Sequence, residues 1–510
     1  MRPSPLSRAR VRTLLLISIC ITTIVLISFE GRRQHAASIL VNSTSDAANG
    51  SDGLCTLREA ITAANTNAAS GASAGECIAG SSSGSDVIDA TGVTGTINLT
   101  GALPSITSSM TITGPGSGQL TVRRNTGGDY RIFTVSNATV IISGLTATNG
   151  KTPDVDCGFH DSTCTGNGGG IVNSGNLTLT DVAVTANHAG NGITVAGSGG
   201  FGGGISSTGT LTMTNCSVSG NVAGRGGDGQ PHSGSGGWGG GIFANGTLTM
   251  INCVIDGNTA GSGGDGELSG GNGGHGGHGG GISSTSGTIT LNGVTITNNH
   301  AGEAGNGQGG GGYGGGIGLE SSGLLTISDT TVAGNAPGGQ HGGSNGAGGG
   351  IAQISTGTII ANRTTVSGNV SPSFAGGVYI GASSVGRFIN CTVSGNNALS
   401  GGGIWVNSSS ILALTNTTVT ANSASGSGNG ISNGSGPARL RNTIVALNGT
   451  GGDMTGSYTS QGHNLIGKSD GSSGFTNGNN GDQVGTIASP LNPQLGPLAN
   501  NGGSTKTHAL

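Results

Sequence analysis

The chain has 510 residues, a net charge of −4, 8% charged and 3% aromatic residues, and 110 glycines, a balance that would mean disorder if the glycines had no period. The weak negative charge and the absence of basic patches argue against a nucleic-acid partner. Charged residues this sparse also leave little material for a carboxylate-based active site.

At the N-terminus, Arg2, Arg8, Arg10 and Arg12 precede an apolar run of 16 residues from Leu14 to Phe29, and the small residues Ala36 and Ala37 follow. That order is a secretory signal's, and the run is shorter than the roughly 20 residues of a membrane span. Arg32 and Arg33 after the run leave an uncleaved signal anchor open. Residues 1–38 are therefore read as signal peptide or signal anchor. The protein is expected to be extracellular or on the cell surface, associated with a membrane only through this segment or a further anchor. Cys20 follows Ile19, where a lipoprotein signal needs a small residue, so lipidation is not expected.

Residues 39–85 are read as an N-terminal cap. In Cys55-Thr-Leu-Arg-Glu-Ala-Ile-Thr-Ala-Ala-Asn65, Leu57, Ala60, Ile61 and Ala64 fall on one side of a helix and Arg58, Glu59 and Thr62 on the other. A solenoid leaves its first coil open, and this helix is expected to cover it. In an exported chain, Cys55 and Cys77, which flank the helix, and Cys157 and Cys164, which share a polar loop, are expected to form two disulfides.

Residues 86–465 are read as the β-helix. Apolar alternation begins irregularly with Ile97, Leu99, Met110, Ile112, Leu120 and Val122, then becomes a repeat. Gly-rich stretches end on Ile171, Ile205, Ile242, Ile282, Ile317, Ile351, Val378, Ile404 and Ile431. Each is answered 16 to 18 residues later by Asn187, Asn221, Asn258, Asn299, Asn335, Asn369, Asn396, Asn422 or Asn448. Successive anchors differ by 34, 37, 40, 35, 34, 27, 26 and 27 residues, so a constant unit carries a Gly-rich loop that shrinks toward the C-terminus. Three residues before each asparagine stands Val184, Val218, Ile255, Ile296, Val332, Val366, Val393, Val419 or Val445, a column of β-branched residues. Alternation with period two over such short runs gives strands and not helices. Stacked coil on coil, they form an all-β parallel β-helix with identical inward residues. Cys216, Cys253 and Cys391 fall in one inward column and are expected to be small buried hydrophobes. The asparagines are expected to form a structural ladder.

The Cys55–Ile61 run followed by Ala63-Ala-Asn65 resembles the CSLREA motif of exported bacterial β-helix proteins, with Thr56 in place of Ser. The Gly-Gly-Gly-Ile and Val-Ser-Gly-Asn repeats resemble those of chlamydial polymorphic outer-membrane proteins and of pectin-lyase-like folds. Asn492-Pro-Gln-Leu-Gly-Pro-Leu-Ala-Asn-Asn-Gly-Gly-Ser-Thr-Lys-Thr-His-Ala-Leu510 is similar to the start of the choice-of-anchor Q region, so residues 466–510 are read as that tail. These resemblances imply a right-handed coil and surface or extracellular placement.

Enzymes of such folds place acids or bases on outward strand positions. Here the residue after each anchor is Val172, Ser206, Phe243, Ser283, Gly318, Ala352, Tyr379, Trp405 or Ser432, none of which titrates near neutral pH. Glycosidases need paired carboxylates and calcium-dependent lyases several. Asp181, Asp256, Glu320 and Asp329 read as isolated surface groups, and no catalytic, cofactor-binding or metal residue is assigned. Calcium is conceivable only at Asp228 and Asp265 in Gly-Gly-Asp-Gly, and a histidine site only from His232, His275, His278, His300 and His341, on loops expected to be flexible. Phe243, Tyr379 and Trp405 are expected to stand too far apart for a sugar platform. Thr178, Thr212, Thr249, Thr290 and Thr326 form one outward column and Thr295, Thr331, Thr365, Thr392 and Thr418 another. The expected function is a non-catalytic structural or adhesin-like role, as a monomer, with an extracellular glycan or cell-surface partner recognised by the loops. The alternatives are a polysaccharide-active enzyme and, through the threonines, binding to ice or a crystal surface.

Overall fold

Runs of three to five alternating residues closed by Gly or Asn make strands of that length, and most repeats contribute three. In one coil these are Ile205–Ser207, Thr210–Thr214 and Ser217–Ser219. The chain bends between them at left-handed positions: Gly202 at φ 65°, Asn215 at 54° and Gly220 at 62°. The computed structural model describes residues 37–158, 161–266 and 272–510; the N-terminal arginines and apolar run lie outside them.

Every coil pairs in parallel with the next in the register the repeat demands. Ile205 lies opposite Ile171 and Ile242, Leu211 opposite Leu177 and Leu248, and Val218 opposite Val184 and Ile255. Among the described residues, the anchor strands form a 12-stranded sheet running from Phe133–Val135 to Ser472–Ser473, and the other two strands of each coil form a 26-stranded sheet. Parallel pairing begins with Ser38–Leu40 on Asp86–Asp89 and ends with Gln483–Val484 on Leu465–Ile466. The chain is thus a parallel β-helix, and the valine column is fully buried along its length.

The helix spans Leu57–Thr66, with Thr56 as N-cap. Leu57, Ala60, Ile61 and Ala64 are buried as the spacing requires, but so is Glu59, which the same spacing puts on the exposed side. Glu59 completes a capping box, accepting the N–H of Thr56 at 3.0 Å and that of Asn49 at 2.8 Å, so its carboxylate is buried with donors. Arg58 ties the helix to Asp46 and to the carbonyl of Gly101. The disulfides Cys55–Cys77 and Cys157–Cys164 are formed, and Cys216, Cys253 and Cys391 are free and buried. Burial pushes the Cys391 thiol up to about 11.

The asparagine column is a continuous ladder. From Asn187 to Asn448, each side-chain Nδ2 donates to the Oδ1 of the asparagine one coil on, at 2.9 to 3.0 Å, and each backbone N–H donates to the same oxygen. Asp453 ends it, its Oδ1 accepting both donors of Asn448. The same ending recurs where Asn464 donates twice to Asp482.

Among the described residues, the Gly-rich insertions are ordered, contrary to their expected flexibility. In the outgoing segment 223–229, the N–H groups of Ala223, Gly226 and Gly229 donate to Thr259, Ser262 and Asp265 of the next coil, at 2.9 to 3.1 Å. Those of Gly224 and Gly227 donate to Gly200 and Gly197 of a returning segment, at 2.9 and 2.8 Å. Gly234 and Gly237, which return in the following coil, donate back to Gly227 and Gly224. A bonding period of three with none of these bonds inside the segment is that of a polyproline-type chain. Two layers of such segments stack into a wall beside the coils. Glycine is obligatory between the layers, because a Cβ on Gly261 would run into the carbonyl of Gly224, and one on Gly277 into that of Gly237. Apart from small alanines such as Ala223 and Ala304, the side chains of these segments stand at every third position.

Candidate functional site

Those third positions give the wall two unlike faces. The outgoing layer displays Asn191, Arg225, Asp228, Ser262, Asp265, Glu303 and Asn306. Most of these bond to the neighbouring coil. Asp228 accepts the N–H of Asp265 at 2.6 Å, Asp265 that of Asn306 at 2.9 Å, and Glu303 that of Gly339 at 2.6 Å. Arg225 bridges Asp228 and Asp265 at 2.6 and 2.8 Å, and its hydrogen bond holds Asp228 below the usual carboxylate range. The two aspartates considered for calcium therefore serve as acceptors for backbone N–H groups.

The returning layer displays Phe201, Trp238, His278 and Tyr313, each four residues before an anchor, and one period earlier Ser198, Ser235, His275 and Gly310. The rings lie in the corner against the residues that follow the anchors. Phe201 meets Trp238 at 6.0 Å and Phe243 at 4.8 Å; Trp238 meets His278 at 4.6 Å; His278 meets Tyr313 at 5.5 Å. The row continues from Tyr313 to Tyr379 at 5.6 Å, Tyr379 to Trp405 at 4.9 Å, and Trp405 to Phe374 at 5.0 Å. Phe243, Tyr379 and Trp405 therefore belong to one chain of rings, contrary to the separation expected for them. Attention to the positions after the anchors missed it, because most of its members precede them; an aromatic four residues ahead of the anchor was the available signal. Phe201, Trp238 and Phe243 are buried, His278, Tyr313, Tyr379 and Trp405 half-buried, and Phe374 exposed. Burial raises the Tyr313 hydroxyl and pushes that of Tyr379 up to about 12, so both remain neutral donors. A cavity of about 220 Å³ opens on this face, lined by Ser235, Trp238, His275, His278, Tyr313 and Ser344 among others.

The histidines come together only in pairs, His275 with His278 on this cavity and His232 with His275 on a neighbouring one. His275 Nδ1 accepts the N–H of Gly310 at 3.0 Å and His278 Nδ1 that of Tyr313 at 2.9 Å. His232 pairs with Asn272, and His300 sits in a row bridged to Thr259 and Ala336. Among the described residues, no group of three or more His, Cys, Asp or Glu side chains is placed to hold a metal ion. The isolated carboxylates are engaged separately: Asp181 with Ser117, Asp256 with Thr297 and Asn298, and Asp329 with Arg363 and Ser504. Burial raises the Glu320 carboxyl.

Both threonine columns are in register, but the second is covered in part. After Gln483–Val484 the chain turns back along the outside of the coils. Thr365 donates to the carbonyl of Lys506 at 2.6 Å, and Ser394 Oγ lies 2.8 Å from His508 Nε2. Thr365, Thr392 and Ser394 are buried, which removes them from any flat hydroxyl array.

Among the described residues no helix is long and apolar enough to cross a membrane. No protein-family model matches the chain, and a search of curated proteins found no match. A similar solved structure is the catalytic unit of a thermostable GH87 alpha-1,3-glucanase from Streptomyces thermodiastaticus strain HF3-3. It is 15% identical, with a TM-score of 0.27, over 78% of this chain and 62% of that one.

Proposed function

We propose that this protein is an exported, non-catalytic β-helical scaffold with an adhesin-like role at the cell surface or in the medium. The observation that carries this reading is the employment of its carboxylates. Asp228, Asp265, Glu303 and Asp453 accept hydrogen bonds from neighbouring backbone, and Asp181, Asp256 and Asp329 are held singly on the coils. Hydrolysis of a glycosidic bond needs two carboxyl groups flanking one bond, and these are committed elsewhere. Export is supported by the two disulfides, which persist in oxidising compartments, and by the basic and apolar order of residues 1–38. The CSLREA-like run at Cys55–Ile61 and the choice-of-anchor-Q-like tail agree with that placement.

The test is incubation of the purified full chain with neutral and polyanionic glycans, with and without calcium, while new reducing ends and unsaturated products are followed. Neither is expected, and reproducible depolymerisation overturns the non-catalytic reading.

A further inference from the structure

We propose that the half-buried ring row from His278 to Trp405, which begins on the returning face of the glycine wall and continues on the coils, binds an extended, uncharged polysaccharide lying along the axis of the β-helix. The proposal rests on the scaffold reading above and names its ligand class. The two faces of the wall share one backbone arrangement and opposite chemistry. Charged Arg225, Asp228, Asp265 and Glu303 stand on the outgoing layer, whereas Trp238, His275, His278 and Tyr313 stand on the returning one. Nothing in the lattice requires that segregation.

The rings are also more than filling. Where the residue after an anchor is small, as at Ser283 and Gly318, the ring comes from the position four before, His278 or Tyr313. Where that earlier position is small, at Ser400, the ring comes from Trp405. The coil of Ile351 has alanine at both, Ala347 and Ala352, so the fold does not demand a ring; even there Tyr313 and Tyr379 approach to 5.6 Å across it. The row is thus unbroken although its sources alternate.

Its spacing suits a polymer. Centroids from Trp238 to Trp405 follow one another at 4.6 to 5.6 Å, near the roughly 4.8 Å rise between stacked strands and comparable to the advance of one saccharide unit. Neighbouring planes up to Tyr379 are tilted by 44 to 79°, and Tyr379 and Trp405 lie parallel at 3°; Trp238 is buried, but His278, Tyr313, Tyr379 and Trp405 each remain partly exposed. Sugar C–H faces pack on such rings, while Ser235, His275 and Ser344 along the cavity supply hydrogen bonds to hydroxyls. No charged side chain lines that cavity, which disfavours a polyanion.

The experiment is co-sedimentation of the full chain with cellulose, chitin and a neutral glucan, and with pectate and alginate gels. Retention on at least one neutral polymer, insensitive to salt, is expected, and none on the polyanions. Tyr379→Leu/Trp405→Leu keeps apolar bulk but removes two rings, and Tyr313→Ala removes a third; each should weaken retention about tenfold or more. Arg225→Ala on the opposite face should leave it unchanged. Thermal melts report whether each variant is folded, and quenching of the parent's tryptophan fluorescence by the bound polymer gives a readout that needs no variant. The proposal is overturned if the parent binds no neutral polymer, if it binds only a protein or a polyanion, or if folded ring variants bind like the parent. Depolymerisation without dependence on the rings would instead sink the non-catalytic reading.

Discussion

A single carboxylate closes the asparagine ladder. Asn448 directs its backbone N–H and its Nδ2 to Asp453 Oδ1, while Asp453 Oδ2 is buried without a hydrogen-bond partner. Burial raises the Asp453 pKa, against the opposing influence of the Asn448 hydrogen bonds and of Lys468. A raised pKa means that the folded state favours the neutral acid. The stability it contributes is complete below the ordinary aspartate pKa and is lost as pH rises through the raised value. Asp453→Asn keeps the acceptor without the charge and is expected to melt no lower than the parent at neutral pH, with the difference vanishing in acid. Asp453→Ala leaves the buried backbone N–H of Asn448 unpaired, while its Nδ2 keeps the carbonyls of Val419 and Ala446, and should cost about 1–3 kcal/mol. Melting curves across pH separate the two. The asparagines and valines themselves were legible in the sequence, because one residue type per coil at one position admits only an in-register stack. Asp453 was not legible, since it stands five residues after Asn448 in a coil that has lost the regular spacing.

The glycine wall is where reading by strand and helix periods failed. Period two describes the coils and period 3.6 the cap helix, but Gly234-Ser-Gly-Gly-Trp-Gly239 has period three, and a glycine-rich stretch with neither familiar period passes for flexible loop. Its order comes from the lack of Cβ atoms, which brings carbonyls within reach of N–H groups on adjacent segments. Gly261→Ala places a methyl against the Gly224 carbonyl and is expected to destabilise the protein by about 1–3 kcal/mol. Ser262→Ala, one residue away on the outer face, should be close to neutral. Hydrogen exchange should show slow amides at Gly224, Gly237, Gly261 and Gly277, and fast exchange at these positions would contradict the lattice.

Across the whole molecule, the C-terminal segment acts as a strap. Leu498–Ala499 pairs antiparallel with Thr507–His508, and the hairpin lies against coils that precede it by more than a hundred residues. One attachment is a hydroxyl hydrogen bond to a carboxylate that is already ion-paired within the coils. Arg363 and the Ser504 hydroxyl both engage Asp329, and the Arg363 hydrogen bond, then that of Ser504, hold the carboxyl below its usual range. A lowered pKa contributes stability above the ordinary aspartate pKa and loses it as pH falls through the folded value. The strap should therefore be cut by a protease at low pH while the coils stay intact, and Asp329→Asn should make it susceptible at neutral pH.

The ladder also has a direction. Every side-chain amide from Asn187 to Asn448 donates toward the C-terminal coil and accepts from the N-terminal one, so all nine peptide-like dipoles point the same way along the axis. Aligned dipoles leave partial positive charge at the end where the donors emerge. That end is where the chain has placed Asp453, and where Asn464 begins again it has placed Asp482. The ladder thus has a fixed sense along the axis, with a carboxyl oxygen set as the last acceptor at each C-terminal finish.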